Sequence, residues 1–316
     1  MQLIDLIKFK FSKRLPVKTT INEFLPLSNV QFFSNCYFHP YTGIYMDESR
    51  NVITESAFHL EKMNKLIDRS RFLTCLNSSR AISIGHGPWN NYYHWYIDSL
   101  PRVFGLREID SLKSIELFIS QPLSKEEKNL LQALVGQNIK IRYVSRFTMV
   151  KAREAYYLPF LSKSCDAELP AEYLNFYRST AFKLFTQSPP SVPFKIFISR
   201  AGSGRRVFMN ELEVENTLQK KGYTILRLEK LTLSQQIYYF RFANRVIASH
   251  GAGLTNLLYS SQCDVLEIFH SEEILGHYKG LCKALGLTYA YRSLDGKHKD
   301  EIVSLPMEDI KDWISQ

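Results

Sequence analysis

A histidine and an aspartate stand four residues apart in the aromatic segment 91–102, as His94 and Asp98. This segment reads as a helix, and residues four apart share one helix face, so the carboxylate can orient the imidazole or take up a proton beside it. The pair predicts a base for a hydroxyl group, with His94 as the base and Asp98 as its orienting partner. Asp98 as the base itself stays a close alternative. The same two residues would also suit a buried aromatic helix in which they only satisfy each other.

Four further residues are assigned to the same functional cleft without a specific role. Arg102 continues the helix face of Asp98 one turn on, although Pro101 is expected to kink or reset the helix there. The other three residues are His86, Asn91 and Glu267.

A glycine-rich turn follows the apolar strand pattern that ends at Ser249. Two glycines separated by one small residue let the backbone approach an anion, and the next helix offers N–H groups and the positive end of its dipole to a diphosphate. A nicotinamide cofactor is disfavoured because asparagine replaces the third glycine of the dinucleotide fingerprint. A tight strand-to-helix turn with a capping histidine is the plainer interpretation. The predicted binding residues are His250, Gly251, Ala252, Gly253, Leu254 and Asn256.

A second basic motif opens the same half of the chain, where a predicted strand ends in Ser199 and Arg200. A glycine loop then carries Arg205 and Arg206. With Arg200, three permanently charged guanidinium groups could converge on phosphate oxygens. Asn210 and Glu211 follow and are predicted to help bind the same group, although they could equally form a plain helix N-cap with an acid in the first turn. A solvated basic loop is the alternative for the arginines.

The sequence has no D-x-D motif for a divalent cation, no Walker A loop, no G-x-S-x-G elbow and no H-E-x-x-H motif. We therefore expect neither a metal site nor a cofactor. In a metal-free reaction, positive charge on a leaving diphosphate would have to come from arginines and from backbone amides.

Strand and helix patterns alternate on both sides of a proline-rich break at 188–193, which predicts two α/β domains at 1–187 and 194–316 joined by a linker. The length of 316 residues allows two cores. The predicted strands are 81–84, 114–119, 139–144, 194–199, 223–227, 245–249 and 265–268. The predicted helices are 92–106, 125–135, 171–185, 211–221, 233–243 and 254–260. A terminal helix at 307–314 could pack back on the first domain.

The formal charge of +9 favours an acidic partner without selecting among nucleotides, anionic lipids, acidic glycans and nucleic acids. The first 16 residues alternate apolar residues with lysines, which could lie on an anionic membrane, or simply pack on their own domain. They do not resemble a signal peptide, and the five widely spaced cysteines indicate free thiols. These features predict a cytoplasmic protein, with peripheral membrane association as an option.

Taken together, the blocks at 91–102, 198–211 and 250–256 resemble glycosyltransferase family 61 in type and order. That family includes plant xylosyltransferases, animal O-linked N-acetylglucosaminyltransferases and many bacterial capsular-polysaccharide proteins. The resemblance extends over 81–268, and the first 80 residues match nothing in it.

The resemblance implies a GT-B-type fold, with two Rossmann-like domains facing across a cleft, and inversion at the anomeric carbon. It also implies a nucleotide sugar, by resemblance a UDP-sugar, held by the second domain, and a hydroxyl of a glycan, polysaccharide or other molecule as acceptor. The missing membrane anchor favours a microbial enzyme over a Golgi-type one. A catalytically inactive nucleotide-sugar or glycan binder is the alternative, and no motif supports nucleic-acid binding. The oligomeric state is not predicted.

Overall fold

The computed structural model describes residues 29–53, 56, 74–85, 91–162 and 166–315. Two compact units divide the chain between Leu161 and Ser162. Each unit is a mixed α/β body built around its own sheet, as the alternating strand and helix patterns predict. The candidate residue His86 and the basic stretch at the start of the chain lie outside the described residues.

The sheet of the first unit has six strands in the order β2-β1-β6-β3-β4-β5. Strand β1 is antiparallel to both of its neighbours, whereas β6, β3, β4 and β5 run parallel to one another. Buried apolar residues dominate β4, as expected of a strand inside a parallel sheet. The strands are β1 (Gln31–His39), β2 (Ile44–Met46), β3 (Thr74–Ser83), β4 (Ile115–Ile119), β5 (Lys140–Tyr143) and β6 (Thr148–Tyr157).

The helical segment that follows β3 in the first unit changes its helix type twice. It begins with one α-helical turn, Tyr92–His94, continues as a π-helix, Trp95–Ser99, and ends as a 3₁₀-helix, Leu100–Glu108. Asn91 caps its start by accepting a hydrogen bond from the backbone N–H of His94 at 3.0 Å. Pro101 stands at the start of the 3₁₀ part, so the predicted reset of the helix at this proline is confirmed.

The second helix of the first unit, Lys125–Val135, has the predicted bounds. Ser124 and Glu127 form a capping box at its N-terminus, which fixes where the helix begins.

The sheet of the second unit has five parallel strands in the order β11-β10-β9-β7-β8. If β7 to β11 are renumbered 1 to 5, the order from the β8 edge is 2-1-3-4-5, which is a doubly wound sheet. Its topological switch point lies between β7 and β9. The strands are β7 (Phe194–Ile198), β8 (Tyr223–Leu226), β9 (Ala243–Ser249), β10 (Asp264–Ser271) and β11 (Thr288–Gly296).

Helices connect these strands close to where the sequence predicts them. The segment after β9 is helical as expected, but it is a 3₁₀-helix. The remaining helix of this group, His277–Leu285, was not predicted. The helices are Glu211–Lys220, Leu233–Arg241, Ala252–Tyr259 and His277–Leu285, with a short 3₁₀ turn at Leu228–Lys230.

The helix Ala171–Leu184 belongs to the second unit, so the division between units precedes the expected linker at 188–193. The buried hydroxyls of Tyr177 and Tyr259 lie 2.6 Å apart, and Arg178 donates to the carbonyl of Ser260. These contacts tie the helix to the 3₁₀-helix after β9.

The C-terminal segment Met307–Ile310 and Lys311–Ile314 packs on the second unit. Ile310 and Ile314 are buried in one core cluster with Phe197 of β7 and Tyr223 of β8. These contacts lie within the second unit, whereas packing back on the first domain, the option raised by the sequence, stays a prediction.

No helix in the described part of the chain is long and apolar enough to cross a membrane. Cys36, Cys75, Cys263 and Cys282 are free thiols.

Candidate active site

Two of the predicted motifs meet at the switch point of the second sheet. Ser199 and Arg200 follow the carboxyl end of β7, and His250 and Gly251 follow the carboxyl end of β9. In open α/β sheets, ligands bind outside the carboxyl ends of the strands at this point. The topology therefore brings the Ser-Arg motif and the glycine turn to one edge.

Arg200 and Arg206 converge on Gly251. The Nε of Arg200 donates to the carbonyl of Arg205 at 2.9 Å, and Nη1 of Arg206 donates to the carbonyl of His250 at 2.7 Å. A Cβ placed on Gly251 would lie 2.5 Å from Nη1 of Arg200 and 3.7 Å from Nη1 of Arg206. Glycine at this position therefore leaves the space that the two guanidinium groups occupy.

The charge at this point is only partly neutralised. Arg206 pairs with Asp300, whose Oδ1 lies 3.1 Å from Nε, whereas Arg200 forms no ion pair with any described carboxylate. Burial lowers the pKa of Arg200, and the neighbouring charge of Arg206 lowers it further. A guanidinium that is desolvated, close to a second cation and without a carboxylate partner is suited to bind an incoming anion.

His250 is held from the side by a buried carboxylate. Its Nδ1 lies 2.5 Å from Oε1 of Glu267, and the hydroxyl of Tyr289 donates to Oε2 at 2.7 Å. Glu267 is fully enclosed, and the His250 ring stacks on Phe269 with 5.1 Å between ring centroids. The cleft residue Glu267, which had no assigned role, is therefore the direct partner of His250.

Three other predicted binding residues hold the protein's own backbone and side chains. Glu211 accepts from the backbone N–H of Arg200 and of Phe208, both at 2.9 Å. Asn210 bonds both the N–H and the carbonyl of Leu305. Ser199 donates to Glu215 at 2.5 Å. In the structure these three side chains shape the loop that carries the arginines.

The residues after Gly251 form the first turns of the 3₁₀-helix Ala252–Tyr259. Leu254 and Asn256 are buried, and the side-chain amide of Asn256 donates to the carbonyl of Gly253 at 3.1 Å. A Cβ on Gly253 would meet Leu228 at 2.9 Å. This turn is therefore packed against its own unit, so any contact it makes with a ligand would come from its backbone.

In the first unit, the structure brings His94 and Asp98 together as the four-residue spacing predicts. Nδ1 of His94 lies 2.5 Å from Oδ2 of Asp98. The carboxylate of Asp98 is fully enclosed, whereas the His94 side chain keeps 16% of its surface exposed. A histidine oriented by an enclosed carboxylate is the arrangement required of a general base.

Arg102 is buried in the first unit, with 1% of its surface exposed. Its Nε donates to the carbonyl of Leu158 at 2.6 Å and its Nη1 to the carbonyl of Gly85 at 2.9 Å. Its guanidinium also lies over the ring of Tyr157. These contacts join the ends of β3 and β6, which is a structural role, and the expected cleft role stays a prediction. Asn91 caps the helical segment.

Sequence reasoning missed Tyr289, Asp300 and His270. His270 stacks on Phe208, approaches the hydroxyl of Ser249 at 3.1 Å and contacts the carbonyl of Glu301 at 2.8 Å. Burial lowers its pKa, opposed by the bond to Glu301 and reinforced by Arg200 and Arg206. None of the three lies in a local motif, because each reaches the site from a separate strand or loop.

Among the described residues, no group of three or more histidine, cysteine, aspartate or glutamate side chains is arranged to hold a metal ion.

A family model described as Glycosyltransferase 61 matches residues 92–266, more than half of the chain. The match includes the His94–Asp98 pair, the Arg200 loop and the His250 turn. The protein is thus a glycosyltransferase, an enzyme that transfers a sugar. It belongs to glycosyltransferase family 61, as its motifs predict.

None of the curated proteins compared with the chain matches it. Among solved structures, it is similar to the bacterial iron-containing dodecameric glycosyltransferase TibC from enterotoxigenic E. coli. The identity is 15%, the coverage is 77% of this chain and 80% of TibC, and the TM-score is 0.34. A structure of the dodecameric iron-containing heptosyltransferase TibC with ADP-D-β-D-heptose is 14% identical, with coverage of 69% and 68% and a TM-score of 0.32. At such TM-scores, neither iron nor heptose is carried over to this chain.

Proposed function

We propose that this glycosyltransferase is a metal-independent, inverting enzyme of GT-B type that uses a nucleotide-sugar donor. The observation that carries the proposal is the pair of guanidinium groups, Arg200 and Arg206, held against Gly251 at the switch point of the second sheet. A sugar diphosphate is the anion whose chemistry fits a two-arginine site in a family of sugar-transferring enzymes.

Metal independence follows from what the arginines can do. When the bond between the anomeric carbon and the diphosphate oxygen breaks, negative charge develops on the leaving diphosphate. Arg200 and Arg206 are fixed by backbone carbonyls before the ligand arrives, so little reorganisation is needed when this charge develops. They supply the positive charge that a divalent cation would otherwise provide.

The reaction is a single displacement. The acceptor oxygen attacks the anomeric carbon and its proton passes to the imidazole of His94, while the diphosphate leaves with the bonding electron pair. One displacement inverts the anomeric configuration. Asp98, bonded to Nδ1, orients the ring and stabilises its protonated form, and direct proton transfer to Asp98 is the alternative.

The donor we propose is a UDP-sugar, and the acceptor is a hydroxyl of a glycan, polysaccharide or other molecule. Both are what the resemblance to the family implies. A role in polysaccharide biosynthesis in the cytoplasm, with peripheral association at the inner face of a membrane as an option, fits this donor.

A thermal-shift panel of UDP-, GDP-, CMP- and dTDP-sugars, with magnesium or with EDTA, tests the donor site. One nucleotide family should raise the melting temperature equally in both conditions, and Arg200→Ala should abolish the shift. Arg153→Ala removes an exposed arginine of the first unit and is the matched control. A shift that needs magnesium, or one that survives in Arg200→Ala, would contradict the proposal.

A further inference from the structure

The buried carboxylate behind His250 links three consecutive parallel strands. His250 follows β9, Glu267 lies on β10 and Tyr289 lies on β11. Oε1 of Glu267 is 2.5 Å from Nδ1 of His250, and Oε2 accepts from the Tyr289 hydroxyl at 2.7 Å. Both oxygens of the fully enclosed carboxylate therefore have a partner, and the three side chains form one continuous chain.

The hydrogen bonds among His250, Glu267 and Tyr289 determine which edge of the imidazole faces outward. A carboxylate accepts hydrogen bonds, so Nδ1 must carry a proton and donate it to Glu267. Nε2, on the opposite edge, bonds no described residue and is not fully enclosed. The ring is fixed further by Phe269 and by Tyr278, with centroids 5.1 and 5.6 Å away.

A protonated His250 ring would face a carboxylate on one edge and a bound anion on the other. A fully enclosed carboxylate is costly without a positive partner, and the imidazole of His250 is the group in direct contact with it that can become positive. Burial and the charge of Glu267 both raise the pKa of Tyr289, so this hydroxyl remains a neutral donor.

We infer that Glu267 and Tyr289 are positioning residues that present Nε2–H of a protonated His250 to the diphosphate of the donor. This inference rests on the proposed function, because it places His250 beside Arg200 and Arg206 as a third and titratable cation. Since a doubly protonated imidazole is lost as the pH rises, diphosphate binding should weaken with rising pH, unlike binding by arginines alone.

Several other charged or titratable groups face His250. From the glycine loop come Arg206, bonded to the carbonyl of His250, and Arg200, beside Gly251. The helix His277–Leu285 contributes His277 and Tyr278, whose rings lie 5.9 and 5.6 Å from that of His250. From the same helix Cys282 interacts with Glu267, and burial raises the pKa of its thiol, so it stays neutral. His270 of β10 adds a neutral ring near the arginines, since its pKa is lowered. Glu267 is the carboxylate in direct contact with the ring.

The test measures binding of inorganic pyrophosphate in EDTA by isothermal titration calorimetry between pH 5.5 and 8.5. Wild type should bind about tenfold more weakly at the upper end. Glu267→Gln keeps an oxygen that can accept from Nδ1 but removes the charge, so binding should be lost at a lower pH than in wild type. The pH at which Tyr289→Phe loses binding should lie between those of wild type and Glu267→Gln. Since pyrophosphate itself titrates, the difference between variants is the quantity compared.

Glu229→Gln and Tyr291→Phe, which alter exposed residues of the same unit, are matched controls and should follow the wild-type profile. A Glu267→Gln profile that coincides with the wild-type profile would overturn the inference. Pyrophosphate that binds to none of the proteins at any pH would instead overturn the proposed donor site.

Long-range ¹H–¹⁵N spectra of the histidine rings decide the positioning role without a ligand. In wild type, Nδ1 of His250 should keep its proton across the pH range, and in Glu267→Gln the ring should change to a mixture of tautomers. These spectra also report whether Glu267→Gln is folded. A His250 ring protonated at Nε2 alone in the neutral wild-type protein would refute the role of Glu267.

Discussion

Two histidines, one in each unit, are held in the same way at the level of single residues. In both His94 and His250, Nδ1 lies 2.5 Å from the oxygen of a carboxylate whose side chain is fully enclosed. Such a carboxylate fixes the ring and the position of its proton, which is the usual means of preparing a histidine for proton transfer or for binding an anion. The local four-residue spacing reveals the first pair, whereas the second joins residues 17 positions apart.

Replacing His94 by Ala, or Asp98 by Asn, should lower sugar transfer by about 10²- to 10⁴-fold. The reason is that the acceptor proton then has no oriented base. Binding of the nucleotide should be unchanged, because these side chains lie in the first unit and the arginine site lies in the second. Steady-state transfer rates and calorimetric binding, measured on the same preparations, check both parts. An active double variant would remove these residues from the chemistry.

At the scale of elements, the loop after β7 and the turn after β9 position the arginines. Gly251 has extended backbone angles, so an alanine there would not strain the chain. Its Cβ would nevertheless lie 2.5 Å from the flexible end of Arg200. The requirement for glycine at this position therefore concerns the place of a guanidinium, and only slightly the stability of the fold.

Gly251→Ala should weaken pyrophosphate binding by about 10- to 100-fold, the value of a hydrogen bond to a charged group. The melting temperature should stay close to that of wild type. Gly222→Ala is the matched control: at φ +81°, with nothing within 4 Å of its Cβ, alanine is strained. Gly222 precedes β8, at the edge of the sheet opposite the one that carries Arg200. It should cost about 1–2 kcal/mol of stability and leave binding unchanged. If Gly251→Ala instead lowered the melting temperature and left pyrophosphate binding unchanged, the glycine would be required for packing.

Much of the second unit could be predicted from its sequence, because β7, β9 and β10 are short apolar runs followed by turn residues. Strand β11 was missed, since most of its residues are exposed or half-buried and its period is weak. Strand β6 of the first unit alternates exposed and buried residues around Lys151 and Arg153, a pattern typical of a half-buried strand.

The site was predicted only where its residues are close in sequence. The contact of Tyr289 with Glu267 depends on how β11 pairs with β10, and the contact of Asp300 with Arg206 depends on where the loop after β11 returns. Neither follows from local spacing. Asn210 is the N-cap and Glu211 an acid of the first turn, as the plainer alternative predicts. Their bonds to Leu305 and Arg200 do not follow from local spacing.

At the scale of the whole molecule, each unit buries a neutral histidine. In the first unit, His39 contacts the carbonyl of Arg146 at 2.8 Å, and burial lowers its pKa to about 4. In the second unit, burial lowers the pKa of His270. Protonation therefore favours the unfolded chain in both units, and both should lose stability in acid.

The sign follows from the lowered pKa values: the stabilisation is complete above about pH 6.5 and is lost as the pH falls towards 4. For His39 the loss should be on the order of 3 kcal/mol over that range. Thermal melts at steps between pH 7.5 and 4 measure it. In His39→Gln the melting temperature should depend less steeply on pH, whereas His298→Gln, at an exposed histidine, should keep the wild-type slope. Equal slopes in all three proteins would contradict this assignment.

The claim at the centre of the mechanism is that arginines, without a metal, hold the donor diphosphate. Isothermal titration of UDP, GDP and ADP into wild type and Arg200→Ala, each in EDTA and in magnesium, tests it most directly. We predict that one nucleotide binds wild type with a similar Kd in both conditions and binds Arg200→Ala at least about tenfold more weakly. Binding that requires magnesium, or that is unchanged in Arg200→Ala, would contradict the claim.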